Sequence, residues 1–357
     1  MMMKRRELAI LCLVMVSVLA VVCWHRSTQP YPVPEIRPTL LWEKRVEPTR
    51  SRVCVVFSPD GQYLATGSGK DTISLWEPGS GRLVSSLHAP SGSSWNISFS
   101  PDSRYLATPG RVLGLLDIGA RSLERELQPA MADQLSFAPN GRLLVGGGDR
   151  ITIWDMSSGK IVRRFGRNDD INSMAVFSPQ GDILAYGNHY YSKGEYIYRT
   201  RLYDVRQNRV VHTLDGTGGK AAFSPDGRIV ALGVQGAPVV RMWNVRTGKQ
   251  LRAFIDWRKV GSPCAVTFSP DGQLVAVGGS ALPWTPRSPF PWARPKATSS
   301  RAVGGAITLS DARTGRILWM QKVSNMDRVT SVDFSPDGKL LAAGVAWDAK
   351  VMVWRIR

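Results

Sequence analysis

A five-residue phrase returns seven times along this chain. Phe57-Ser58-Pro59-Asp60-Gly61 opens the series, and related turns follow Phe99, Phe137, Phe177, Phe223, Phe268 and Phe334. The steps between successive Phe positions are 42, 38, 40, 46, 45 and 66 residues. Self-similarity at about forty residues constrains the fold strongly, because one such unit cannot bury both faces of a small sheet and must stack on its neighbours.

The order of signals within a unit is constant. In the first copy, Val53 to Phe57 alternates into the Pro-Asp-Gly turn, and Tyr63 to Thr66, Thr72 to Trp76 and Leu83 to Leu87 read as three further strands. Proline presets φ and glycine supplies a positive φ, so Ser-Pro-Asp-Gly is a tight connection between antiparallel strands. Four short strands per copy predict an all-β radial array.

Where the third strand ends, an aromatic or apolar residue meets an acid or its substitute. The pairs are Trp76-Glu77, Leu116-Asp117, Trp154-Asp155, Tyr203-Asp204, Trp243-Asn244, Ser310-Asp311 and Trp354-Arg355. A Ser/Thr-Gly-Lys/Arg turn follows in several copies, as at Ser158-Gly159-Lys160 and Thr314-Gly315-Arg316. Together these motifs resemble the WD-repeat β-propellers, especially bacterial ones, over residues 39–357. The resemblance implies a seven-bladed β-propeller and a role in binding proteins.

Many repeats of that family carry a Gly-His pair before the first strand and an Asp before the third, joined to the Trp in a buried polar network. Here the position nine residues before the turn Phe holds Pro48, Pro90, Gln128, Asn168, Leu214, Lys259 or Asn325. Asp71 and Asp149 supply the acid in two copies. The blades are therefore expected to hold together mainly by apolar packing.

The last copy stops after its third strand, Lys350 to Ile356, and so lacks an outer one. Leu41-Trp42-Glu43-Lys44-Arg45-Val46 matches Leu318-Trp319-Met320-Gln321-Lys322-Val323, and each Trp stands fifteen residues before its turn Phe. Residues 39–47 are thus expected to supply the missing strand and close the ring. With 43% apolar residues, the body suits a repeat architecture, and no second globular domain fits.

Residues 1–26 differ in kind. Lys4-Arg5-Arg6 precedes an apolar run from Leu8 to Trp24 broken only by Ser17, which reads as a single transmembrane anchor with the basic end inside. A cleaved secretory signal ending near Val18-Leu19-Ala20 is the rival reading. The propeller would then face a periplasm or the extracellular space, tethered in the first case and secreted in the second. Residues 27–38, with four prolines from Pro30 to Pro38, form an extended linker or stalk.

Cys12 and Cys23 lie in the apolar run, and Cys54 and Cys264 on inner strands of different copies, so buried free thiols are expected. His25, His88, His189 and His212 lack metal-ligand spacing, and no cofactor or metal is implied. No nucleophile elbow and no phosphate-cradling loop occurs, and Asp60, Asp226, Asp271 and Asp337 recur where turns need them. The chain is read as a non-enzyme, with no small-molecule substrate inferred.

Charge is the other strong signal: 46 Lys and Arg against 28 Asp and Glu, a net charge of +18. One set of cations, Arg82, Arg121, Lys160, Arg209, Lys249 and Arg316, opens the outer strands, where it guards exposed edges against pairing. A second set is mixed with aromatics in long connections. The fourth copy carries His189, Tyr190, Tyr191 and Tyr196 between its second and third strands. The link from the fifth to the sixth copy carries Trp257, Arg258 and Lys259, and the sixth copy's insert at 279–305 carries Trp284, Arg287, Phe290, Trp292 and Arg294. In up-and-down blades these connections emerge on one face and in one sector. Aromatics with cations on rigidly held loops suit partner binding.

Three function classes follow. The first is a monomeric, membrane-tethered scaffold for a protein or peptide partner. The second is an electrostatic binder of a polyanion, such as an acidic envelope polymer, anionic lipid or nucleic acid, the last being least favoured outside the membrane. The third is a propeller enzyme with a site in the central channel.

Overall fold

A computed structural model describes residues 36–46, 52–68, 71–90, 96–110, 112–127, 134–166, 171–192, 195–215, 220–234, 239–254, 263–280, 304–325, 327–346 and 348–356. They build seven four-stranded antiparallel sheets. The first is typical: Cys54–Phe57, Leu64–Gly67, Thr72–Trp76 and Leu83–His88 pair in sequence order. The innermost strand of each sheet touches the innermost strands of the sheets before and after it, and the seventh touches the first. The chain is a closed seven-bladed β-propeller.

The recurring phrase forms the hairpin between the first two strands of every blade. Its fifth residue has positive φ in all seven copies, from 60° at Ser103 to 73° at Gly61 and Gly181. Ser58 Oγ donates to Asp60 Oδ1 (2.5 Å), while Oδ1 accepts from Gln62 N (3.0 Å), so the serine and aspartate stitch the turn from both sides. The turns also pack around the ring. A Cβ on Gly141, Gly181, Gly272 or Gly338 would stand 3.2–3.6 Å from the proline of the preceding blade's turn. Ser103, the exception, accepts a hydrogen bond from Asp60 N of the first blade (3.0 Å), which offsets its unfavourable φ.

Ring closure follows the repeat logic. Thr39–Arg45 pairs antiparallel with Lys350–Arg355 and completes the seventh sheet as its outer strand. Trp42 from this strand reaches the first blade, where its Nε1 donates to Pro78 O (2.7 Å) and its ring lies 6.1 Å from that of Trp76. Trp319, on the outer strand of the sixth blade, meets Trp354 of the seventh at 5.9 Å. The two tryptophans matched in sequence thus occupy equivalent junctions.

Apolar packing is divided among seven cores, one per junction between blades. Val53, Val55, Phe57 and Trp76 of the first blade share a core with Ala342, Val351 and Val353 of the seventh. Cys54, Ala65, Ile73 and Leu75 share another with Phe99, Leu106 and Leu116 of the second. Middle strands are packed on both faces, so Leu64–Gly67 and Ile151–Asp155 are buried at every residue.

Polar links between Trp and its surroundings are patchy. Trp76 Nε1 donates to Thr66 Oγ1 (2.9 Å), and Trp354 Nε1 to Gln321 Oε1 (3.0 Å). The buried Nε1 atoms of Trp154 and Trp243 have no partner among the described residues. Asp71 and Asp149 are exposed. A third acid, Asp348, accepts from Ser324 Oγ (2.8 Å); it was hidden in the sequence because Ala349, at φ 47°, displaces it by one position.

The apolar run Leu8–Trp24 and the linker at 27–35 lie outside the described residues. Among the described residues no helix is long and apolar enough to cross a membrane.

Candidate interaction face

Strand direction gives the ring two unlike faces. Inner strands run down into the Pro-Asp-Gly turns, and third strands end beside them, so one face carries tight turns throughout. The acids at the ends of third strands also belong to that face. Asp155 Oδ1 accepts from Ser157 Oγ (2.5 Å) and Ser158 N (2.9 Å), and these bonds hold its carboxyl far below the usual range. Asp117 is lowered as well, first by the Ala120 N–H. These recurring acids are committed to turns.

The opposite face receives the connections between second and third strands and those that cross to the next blade. In the fourth blade the second and third strands are Ile183–Ser192 and Glu195–Asp204, ten residues each, against four to seven in the other blades. They stay in unbroken register from Ile183↔Asp204 to Ser192↔Glu195. The sequence suggested a loop here; the chain instead continues the blade as a β-hairpin arm. Five residues beyond Gly187, at ~3.3 Å each, lift the arm about 16 Å above the level where the third blade's hairpin ends.

Of the residues singled out in the sequence, His189, Tyr190, Tyr191 and Tyr196 lie on this arm. Register pairs His189 with Tyr198, Tyr190 with Ile197 and Tyr191 with Tyr196. Trp257, Arg258, Lys259, Trp284, Arg287, Phe290, Trp292 and Arg294 lie outside the described residues. The ends of their segments are described. Ser280 pairs with Gly305 across the base of the sixth-blade insert, and Phe254 and Pro263 bracket the fifth-to-sixth link. These described ends lie on the arm's face, in adjacent blades.

The ring axis holds a group that the sequence reading passed over. The residue before each turn Phe is Val56, Ser98, Ser136, Val176, Ala222, Thr267 or Asp333, so one acid enters this inner circle. Asp333 Oδ2 accepts from Phe57 N (2.8 Å), across the junction of the seventh and first blades. Thr330 Oγ1 donates to Val53 O (2.8 Å), and Ser331 Oγ to Val55 O (3.2 Å), at the same junction. Burial pushes the Asp333 carboxyl up to about 7, against the pull of the Phe57 and Phe334 N–H groups and of Lys220 in the fifth blade. Among the described residues no group of three or more His, Cys, Asp or Glu converges as a metal site would require.

On the turn face, a groove of about 800 Å³ runs between the fourth and fifth blades, with Asp182 and Asp204 on one wall and Arg228 and Arg246 on the other. His212 crosses it to bond Arg246 O (3.0 Å).

Comparison with known proteins agrees with this architecture. The WD40 model, described as WD domain, G-beta repeat, matches residues 45–77 and 321–355, which take in the first three strands of the first blade and of the last. WD repeat-containing protein SL1-17 of Schistosoma mansoni is 28% identical over 165 residues, 44% of this chain and 52% of that protein.

These matches support a WD-repeat propeller.

WD repeat-containing protein sll1491 of Synechocystis sp. is 29% identical over 141 residues, 37% of this chain and 39% of its own length. Target of rapamycin complex subunit wat1 of Schizosaccharomyces pombe is 24% identical over 168 residues, 45% of this chain and 51% of its own. The chain thus spans about half or less of the length of these curated relatives. A WD-repeat propeller of this kind is consistent with a protein-interaction scaffold.

Proposed function

We propose that this protein is a non-enzymatic, membrane-tethered scaffold that binds a protein partner through the loop face of blades four to six. The observation that carries the reading is that the extended arm of the fourth blade and the described ends of the sixth-blade insert, Ser280 and Gly305, lie on one face of the ring. A relative named as a subunit of a target of rapamycin complex supports a role in assemblies. The chain enters the ring on the other face, since Thr39 pairs with Arg355 beside the Pro-Asp-Gly turns. The basic, apolar and proline-rich order of residues 1–38 supports the membrane tether.

The test compares the full chain with a variant lacking residues 281–303 as baits, in low and high salt. Partners that survive salt and are lost with the segment support the reading. Capture that ignores the deletion and vanishes with salt favours the second reading, a polyanion binder, which the net charge of +18 supports.

A further inference from the structure

The groove between the fourth and fifth blades lies on the turn face, and the turns that bound it are all described. Its charges come from one position in the repeat. The residue that follows each Pro-centred turn is Gln62, Arg104, Arg142, Asp182, Arg228, Gln273 or Lys339. In the second and third blades it is an Arg that pairs with the acid ending the third strand of its own blade. Arg104 meets Asp117 at 3.2 Å, and Arg142 meets Asp155 at 3.5 Å. The main chain places Asp182 and Arg228 equivalently. Val205 N donates to Asp182 O and Val245 N to Arg228 O (both 2.9 Å), as Ile118 N does to Arg104 O and Met156 N to Arg142 O.

At the groove this pairing is lost in both blades, in opposite senses. The fourth blade keeps its acid, Asp204, but carries Asp182 in place of the Arg; the fifth keeps Arg228 but carries Asn244 in place of the acid. Asp182 Oδ1 accepts from Ser178 Oγ (2.8 Å) and Asp204 Oδ1 from Gln207 N (2.7 Å), and among the described residues neither carboxylate has a cation partner. Arg228 reaches Asp226 at 3.8 Å, an exposed pair that contributes little. Arg246 extends the positive wall, and Ile183, Val211 and Val245 add apolar lining that belongs to the core of this junction.

Two walls of opposite sign with apolar lining are complementary to a ligand that is cationic at one end, anionic at the other and apolar between. A free amino acid carries both charges on one carbon and fills little of about 800 Å³. A peptide of two or three residues separates its charged ends by about 7–10 Å. We propose that this groove binds short apolar peptides with free ends, the ammonium meeting Asp182 and Asp204 and the carboxylate meeting Arg228 and Arg246. Guanidinium groups suit a carboxylate through paired N–H donors. The ligand has no net charge, so the +18 of the chain neither draws nor repels it. The site lies on the face opposite the arm and is independent of the scaffold reading.

Titration calorimetry of the full-length protein tests it with Leu-Ala and Ala-Leu-Ala, each free, N-acetylated and C-amidated, beside free leucine. The free peptides are expected to bind, and either cap to weaken binding at least tenfold. Leucine is expected to bind at least tenfold more weakly than the tripeptide. Asp182→Asn combined with Asp204→Asn keeps oxygen acceptors for Ser178 and Gln207, and is expected to abolish the effect of acetylation while that of amidation persists. Arg228→Gln combined with Arg246→Gln is expected to do the reverse. Unchanged unfolding midpoints show that the ring is intact; if the acid variant does not fold, the exposed Arg pair decides. The proposal is overturned if neither free peptide binds, if capped and free forms bind equally, or if both variants bind as the parent does. Sensitivity to amidation alone also overturns it, for the occupant is then a simple anion, and sensitivity to acetylation alone does so by showing a simple cation.

Discussion

Trp42, on the strand that closes the ring, packs against Trp76 of the first blade, with ring centroids 6.1 Å apart and planes tilted by 35°. The same side chain donates its indole N–H to Pro78 O. A single residue from the chain's first described strand thus bridges the last sheet and the first. Trp42→Ala removes a buried aromatic and the bond together, and is expected to cost about 3–5 kcal/mol, the range for such truncations. Urea unfolding measures it. Trp319 sits at the equivalent junction in a more exposed setting, so Trp319→Ala is expected to cost less.

The latch depends on a glycine. Gly81 has φ +68°, and a Cβ there would approach the Trp42 ring to 2.6 Å. Gly81→Ala is expected to lose about 1–3 kcal/mol through strain and collision. Gly79, two residues earlier, has nothing within 4 Å, so Gly79→Ala should leave the unfolding midpoint unchanged.

Trp76 and Trp154 separate packing from hydrogen bonding. Trp76 donates to Thr66 Oγ1, whereas the Trp154 indole N–H is buried without a partner among the described residues. Replacement by Phe takes a donor from Thr66 Oγ1 in one case, leaving it the long bond to Ser74 O (3.5 Å), and removes an unpartnered donor in the other. Trp76→Phe is therefore expected to cost about 1 kcal/mol more than Trp154→Phe.

Asp333 makes the closing junction sensitive to pH. Its carboxyl is pushed up to about 7, while an unfolded aspartate titrates near ~3.9. Between those values the folded protein keeps a proton that the unfolded chain has lost, so stability falls as pH rises from about 4 to about 7 and is level above. Asp333→Asn lacks this loss. Relative to the parent it should gain roughly 1 kcal/mol between pH 5 and 7.5, since that window spans about 2.5 kcal/mol of the displacement and a half-buried group keeps about half of it. Parallel urea titrations at the two pH values check the sign.

The sequence was most legible where chemistry is local. A turn that needs Pro at one position and positive φ at another leaves a five-residue signature, and seven copies announced the blades and the closing strand. Asn188 to Ser192 were read as a loop because polar and aromatic residues there lack the apolar alternation of a half-buried strand. Asp333 was invisible for a different reason. Its partner, Phe57 N, lies 276 residues away and meets it only when the ring closes. Trp154 and Trp243 show the converse: their indoles have no partner among the described residues, and their repeats lack the Gly-His pair.

The most direct test of a loop-face scaffold places a photo-cross-linking residue, in the full chain and in cells, at one of three positions. Tyr191 lies on the arm, Gln62 is exposed on the turn face, and Val162 is 54% exposed on an outer strand. Adducts formed from position 191 and absent from 62 and 162 are the expected result. Adducts from position 62 or 162, with none from 191, would contradict the account.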